Sequence, residues 1–244
     1  MFKATIDAEL FKDAVDIVSV LVDESIFSTD EEVIISKAVE PANAAMVILE
    51  MKKNAFDIYE SDSHELGIDL KRLSTVLDMA QRGDMVELEL EDHKLKIVMG
   101  GLRYHLSLLD PSTIRKIPKV PQIQLPAKVV VDGSTIQRAI KAASTVGSYV
   151  ALGVEDESFY IETEGDTDKL RFVLGKDELI DLQGDDVRSL FSLDYLRSIT
   201  RSRAFGRGIV TLEIGIDYPI KISFSFADDK IRALYIVAPR VEAV

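Results

Sequence analysis

The chain is written twice, and that constrains its fold more than any single motif does. Shifted by 125 residues, FKATIDAELFKDAVDIVS falls on VVVDGSTIQRAIKAAS, placing Asp7 on Asp132, Phe11 on Ile136, Ala14 on Ala139, Val15 on Ile140 and Val18 on Ala143. Each copy is a short β-rich run, a capping residue and a helix with an apolar stripe at i, i+3, i+4 and i+7. A second pair follows at a shift of 123, Leu70 on Leu193, Leu73 on Leu196 and Val76 on Ile199. One residue is gained in the next turn, so Leu88 meets Leu212 and Leu90 meets Ile214 at a shift of 124. Two copies of one pattern must bury the same faces, and 244 residues is enough for two domains of ordinary size.

Between the helices the pattern alternates. In VELELEDHKLKIVMG, Val86, Leu88 and Leu90 stand on one side and Glu87, Glu89 and Glu91 on the other, with a turn at Glu91-Asp92-His93. SFYIETEGDTDKLRFVLG turns around Gly165, and the last hairpin turns at Ala227-Asp228-Asp229. Four helices among roughly sixteen short strands predict an α+β chain of two similar domains, each with two helices and antiparallel sheets. Pro111, Pro118, Pro121 and Pro126 punctuate the middle, so the expected division is 1–115, a connector over 116–126, and 127–244. Ile117, Val120, Ile123 and Leu125 make that connector more apolar than a solvated linker requires.

The absence of cysteine excludes disulfides, thiol nucleophiles and thiolate metal sites. No apolar run is long enough to span a bilayer, and the opening MFKATIDAEL does not read as a signal peptide; the expected location is cytoplasmic. His64, His93 and His105 are isolated, the acidic pairs fall in turns, and Gly100-Gly101 and Gly206-Arg207-Gly208 lack nucleotide-loop spacing. No catalytic residue, metal site or cofactor is nominated. A metal-dependent phosphoesterase with dispersed ligands and a binding-only α+β domain stand as the competing classes.

The net charge of −13 argues against a generally basic surface, yet the helices depart from it. Arg197, Arg201, Arg203 and Arg207 face one acid, Asp194, within 192–207; Arg138 and Lys141 follow Ser134 with none. Lys71, Arg72 and Arg82 accompany Asp69 and Asp78, and Lys12 sits among Glu9, Asp13 and Asp16. One such helix alone is most simply a solvated face. Together, in an acidic chain, they read as a salt-sensitive phosphate-binding surface without base readout.

The MFKATI opening, the DLKRLSTVL helix, the proline-bearing connector and the LYIVAPR ending, in that order and over the whole length, resemble the proliferating-cell-nuclear-antigen (PCNA) family of DNA polymerase sliding clamps, most of all its archaeal members. The resemblance implies a DNA clamp fold, closed as a homotrimeric ring of six similar domains, with helices around a hole that double-stranded DNA threads without sequence specificity. It implies a non-enzymatic processivity factor that tethers DNA polymerase and serves replication and repair, nucleoid-associated in an archaeon. It places Lys12, Lys71, Arg72, Arg82, Arg138, Lys141, Arg197, Arg201 and Arg203 on the inner surface, with Arg207 toward the rim.

Family subunits meet edge to edge. The matching segments here are Arg103, Tyr104, His105, Leu106, Ser107, Leu108 and Leu109, facing Lys169, Leu170, Arg171, Phe172, Val173 and Leu174 of another copy, with Asp166 and Asp168 able to pair with Arg103, Arg115 or Lys116. Partners implied by the family are the clamp loader, DNA polymerase, flap endonuclease, DNA ligase and other carriers of a Gln-x-x-aliphatic-x-x-aromatic-aromatic peptide. The wall matching their docking site is Val39, Pro41, Asn43, Ala44, Ile117, Val120, Ile123, Leu125, Pro219, Ile236, Val237, Ala238 and Pro239. The alternative within this resemblance is one subunit of a heteromeric clamp, of the checkpoint or replication type, that forms no ring alone.

Overall fold

The computed structural model describes residues 1–240 apart from 116, 118, 119, 121 and 122. Lys116, Lys119, Pro118 and Pro121, which the sequence reading places in the connector, therefore lie outside the described residues. The chain divides into two compact units, Met1–Glu40 with Val47–Pro118 and Ser225–Ala233, and Pro41–Met46 with Lys119–Phe224 and Leu234–Val244.

The first half runs β1 (Phe2–Asp7), α1 (Ala8–Ser19), β2 (Glu24–Thr29), β3 (Val33–Val39), β4 (Ala45–Lys52), β5 (Ile58–Ser61), β6 (His64–Asp69), α2 (Leu70–Leu77), β7 (Met85–Glu91), β8 (Lys94–Met99) and β9 (Leu102–Ser107). Strands β5-β1-β7-β8-β9 form one sheet, and β4-β3-β2-β6 lie side by side in another. The second half runs β10 (Ala127–Asp132), α3 (Gly133–Ala143), β11 (Tyr149–Glu155), β12 (Ser158–Glu164), β13 (Lys169–Gly175), β14 (Asp181–Gly184), β15 (Val187–Ser192), α4 (Leu193–Thr200), α5 (Arg203–Arg207), β16 (Ile209–Ile214), β17 (Ile220–Phe226) and β18 (Ile231–Val237). Its strands repeat the plan as β14-β10-β16-β17-β18 and β13-β12-β11-β15.

The duplication extends to single hydrogen bonds. Ala8, opening α1, donates its N–H to Asp84 O at 2.9 Å, and Gly133, opening α3, donates to Gly208 O at 2.9 Å. Asp7 and Asp69 cap α1 and α2, their carboxylates accepting from Leu10 N at 2.9 Å and Arg72 N at 3.0 Å. Each helix buries its apolar stripe: Phe11, Val15 and Val18 on α1, Leu73 and Leu77 on α2, Ile136 and Ile140 on α3, Leu196 and Ile199 on α4. The three sequence-read turns hold, with Asp92, Ala227, Asp228 and Asp229 in the left-handed backbone region and Gly165 between β12 and β13.

Two counts differ from the sequence reading. Among the described residues there are eighteen strands and five helices rather than about sixteen and four. The extra helix arises because Ser202 interrupts the basic run 192–207: its hydroxyl accepts from Phe205 N at 3.2 Å and starts α5 anew after α4 ends at Thr200.

The sheet edges are treated unequally. Leu109 bridges to Gly67 and covers the outer side of β6, Arg240 N donates to Leu190 O beside β15, and β5 and β14 are only four residues long. Strand β9, with six residues, pairs with β8 alone, and β13, with seven, pairs with β12 alone among the described residues. A long bare edge is a row of unsatisfied backbone donors and acceptors that another chain can complete.

Candidate nucleic-acid interface

Arg138 and Lys141 are one turn apart on α3; Arg197 and Arg201 are one turn apart at the end of α4, Arg201 being its C-cap. With Ser134, Gln137 and Thr200 they line an open cavity of about 610 Å³ within the second unit, with no carboxylate in the wall. Gln137 Nε2 donates to Thr200 O at 2.7 Å and ties the two helices together across it. Lys141 and Arg197 lie in the last helical turns, where the helix dipole favours cations. The four cations are exposed, none is ion-paired among the described residues, and Arg138 also lies over the Phe172 ring at 5.8 Å.

The first unit handles its cations differently. Lys12 is ion-paired with Asp78, Lys71 Nζ donates to Asp23 Oδ2 at 2.6 Å, and Arg72 Nε lies 3.3 Å from Asp69 Oδ2. Arg82 is exposed in the turn before β7, and Arg203 and Arg207 are exposed at the two ends of α5, outside the cavity wall. Of the nine sequence-named cations, the structure thus gathers Arg138, Lys141, Arg197 and Arg201 into one site. Asp23 was invisible to the sequence reading because it lies 48 positions from Lys71.

Within the second unit, the connector's end is anchored. Lys221 Nζ donates to Ile123 O and lies 3.4 Å from Glu213, while Leu125 packs on the β16–β17 turn so closely that a Cβ on Gly215 would sit 3.0 Å from its Cδ2. Ala238 N donates to Ala44 O at 2.7 Å, holding the tail against the 41–44 turn, where Asn43 adopts φ 59°. Val120, Ile123, Leu125, Pro219, Ala238 and Pro239 are half-buried; Pro41 and Asn43 are exposed, and Ile236 and Val237 are buried. Val39 and Ile117 belong to the first unit, Val39 buried and Ile117 half-buried. Sequence reasoning passed over Ile216 and Tyr218, 60% and 54% exposed in the β16–β17 turn on whose Gly215 Leu125 packs. Two large apolar residues flanking Asp217 in a turn bounded by Gly215 and Pro219 were the signal available for them.

On the bare edges, Tyr104 and Val173 are exposed, whereas Leu106 and Leu174 point into their own cores. Leu109 spends its N–H on Gly67 O at 2.8 Å. Arg171 already bonds Glu155 and Glu162, and Lys169 lies by Glu162 and Glu164, so these two cations have partners within the chain. Asp166 and Asp168 are exposed in the turn before β13.

The chain thus combines a duplicated α+β plan, a cationic helix cavity in an acidic background and two long strand edges left bare among the described residues. Residues 1–100 match the family "Proliferating cell nuclear antigen, N-terminal domain". Proteins described as "DNA polymerase sliding clamp" from Methanococcoides burtonii and Methanocella arvoryzae are 48% and 49% identical, each with 100% of both chains covered. The structure described as "C-terminal region of FEN-1 bound to A. fulgidus PCNA" superimposes over 100% of both chains with a TM-score of 0.94 at 34% identity. The chain belongs to the PCNA family of DNA polymerase sliding clamps, and the relatives named are archaeal.

Proposed function

We propose that three copies of this chain close into a ring around duplex DNA and act as the processivity factor of a replicative DNA polymerase. The observation that carries the reading is the carboxylate-free cavity of Arg138, Lys141, Arg197 and Arg201 in a chain of net charge −13. Acid elsewhere repels DNA, so phosphate contact concentrates where the acid is missing. Ring closure pairs β9 of one copy with β13 of the next, the two long edges left bare, and Tyr104 and Val173 supply exposed apolar area there. Lys12, Lys71, Arg72, Arg82 and Arg203 face the same central hole in this reading, without being assigned a phosphate contact, and the domain division at 1–115 and 127–244 goes with it.

Partner proteins dock a short apolar peptide beside the anchored connector, on Ile123, Leu125, Pro219, Ala238 and Pro239. A relative's complex with the C-terminal region of FEN-1 supports peptide docking of this kind; flap endonuclease, DNA ligase, DNA polymerase and the clamp loader are the partners this reading expects. Such a protein works in the cytoplasm, at the nucleoid. The test is topological: clamp loaded on nicked circular duplex should survive a high-salt wash and fall off after the circle is cut. Loss from intact circles in the same wash would contradict encirclement.

A further inference from the structure

We propose that the clamp grips DNA phosphate mainly through its second unit, and that the face of the first unit's two helices is built to be phosphate-neutral. This rests on the DNA-encircling reading above. The internal repeat supplies the argument. At the shift of 125 that aligns α1 with α3, Arg138 and Lys141 correspond to Asp13 and Asp16; at the shift of 123 that aligns α2 with α4, Arg197 and Arg201 correspond to Ser74 and Asp78. Three of the four cavity cations therefore stand where the other copy has an acid.

The cations on the first unit's helices do not make up the difference, which leaves Arg82, in the turn before β7, as that unit's one named inner-surface cation with no ion pair among the described residues. Lys12, at the position of Gln137, is held by Asp78; Lys71 and Arg72 are held by Asp23 and Asp69. A cation already neutralised by a carboxylate releases no net counterion when phosphate arrives, so it adds nothing to the salt-dependent part of binding. The second unit offers the opposite: two guanidinium forks on α4, one on α3 and an ammonium around a cavity into which a phosphate diester fits, the geometry in which Arg gives paired hydrogen bonds to phosphate. A homotrimer would carry three seats and three neutral faces. Six similar domains would then present a three-fold pattern to the duplex, leaving neutral surface between grips over which the phosphates can move.

The experiment measures duplex affinity by fluorescence anisotropy from 50 to 200 mM salt for the whole chain and four variants. Replacing Arg138, Arg197 and Arg201 by Gln removes three contacts per seat engaged, so across that range the wild type should lose about 40-fold more affinity than the variant. Replacing Lys12, Lys71 and Arg72 by Gln should change the same ratio by less than about twofold. Asp23→Asn with Asp78→Asn, which keeps shape and frees Lys71 and Lys12, should steepen the salt dependence by about 0.9 per freed charge. A control of Arg138→Lys, Arg197→Lys and Arg201→Lys should keep the wild-type slope, separating charge from folding. Equal flattening by the first two variants, or no response to the Asn pair, would overturn the one-sided grip while leaving DNA binding in place. Binding that none of the variants alters would overturn both the grip and the inner-surface reading.

Discussion

Replacing Gly133 by Ala tests whether the repeat's geometry, and with it the placement of α3, is as tight as the structure shows. A Cβ at Gly133 would lie 1.9 Å from Phe205 O and 3.0 Å from Gly208 O. Carbon and oxygen need about 3.3 Å, so the start of α3 must move by roughly 1.4 Å against the backbone of α5. Overpacking of this kind costs about 1–3 kcal/mol. Losing the Gly133 N to Gly208 O bond costs about 1 kcal/mol more, and the better helix propensity of Ala returns at most about 1 kcal/mol. The net is about 2 kcal/mol, or a fall of about 4–8 °C in Tm for a chain of this size. Calorimetry of Gly133→Ala should show that fall, whereas Gly175→Ala, whose Cβ would meet just the movable carboxylate ends of Asp177 at 3.0 Å and Glu178 at 3.8 Å, should stay within about 0.5 kcal/mol of wild type. Because α3 carries Arg138 and Lys141, Gly133→Ala should also weaken DNA binding at temperatures where it is folded. A Gly133→Ala protein with wild-type Tm would refute the close backbone approach on which this reasoning depends.

Three further outcomes are expected. Lys221→Met frees the connector at Ile123 O; the charged hydrogen bond is partly replaced by water, leaving about 1 kcal/mol and about a fivefold weaker fit for a Gln-x-x-aliphatic-x-x-aromatic-aromatic peptide, read by titration calorimetry. Val173→Asp, at a residue 48% exposed on bare strand β13, should leave the melting curve of the subunit unchanged but abolish the ring in a sedimentation run. The Asp229 carboxyl, bonded by Arg232 and then Lys52, is held well below the usual carboxylate range. Its stabilising effect is therefore complete above about pH 3.9 and is lost as pH falls through the lower folded value, so the Tm gap between wild type and Asp229→Asn should narrow on acidification below about pH 3.9. A constant gap would count against that pairing.

Much of the fold was legible because its determinants are local and repeated. The apolar stripes of α1 and α3, the cap at Asp7, and the turns at Asp92-His93 and Ala227–Asp229 each follow from residues within one or two turns of chain, although Asp132, the repeat of Asp7, makes no side-chain capping bond. What escaped the sequence was long-range. Lys12 finds Asp78 and Lys71 finds Asp23 across 66 and 48 positions, and those pairings separate an occupied face from an open one. Ser202 reads as one more polar residue in a basic helix until its hydroxyl is seen starting α5. Ile216 and Tyr218 look like ordinary turn residues until Leu125 is found packed on Gly215 of the same turn. Edges, too, are a property of topology: the apolar members of LRYHLS and KLRFVLG fit core strands equally well, the family resemblance singles the two out as edges, and the pairing pattern shows that each has one side left over among the described residues.

Light scattering coupled to size exclusion, run over a concentration series, tests the central claim most directly. A closed homotrimer of 27.1 kDa chains has a mass of three times that value, and the account predicts that mass at every concentration above the assembly threshold. A chain that stays at 27.1 kDa or at twice that mass at high concentration would contradict the self-closing ring and point to a clamp completed by a different subunit.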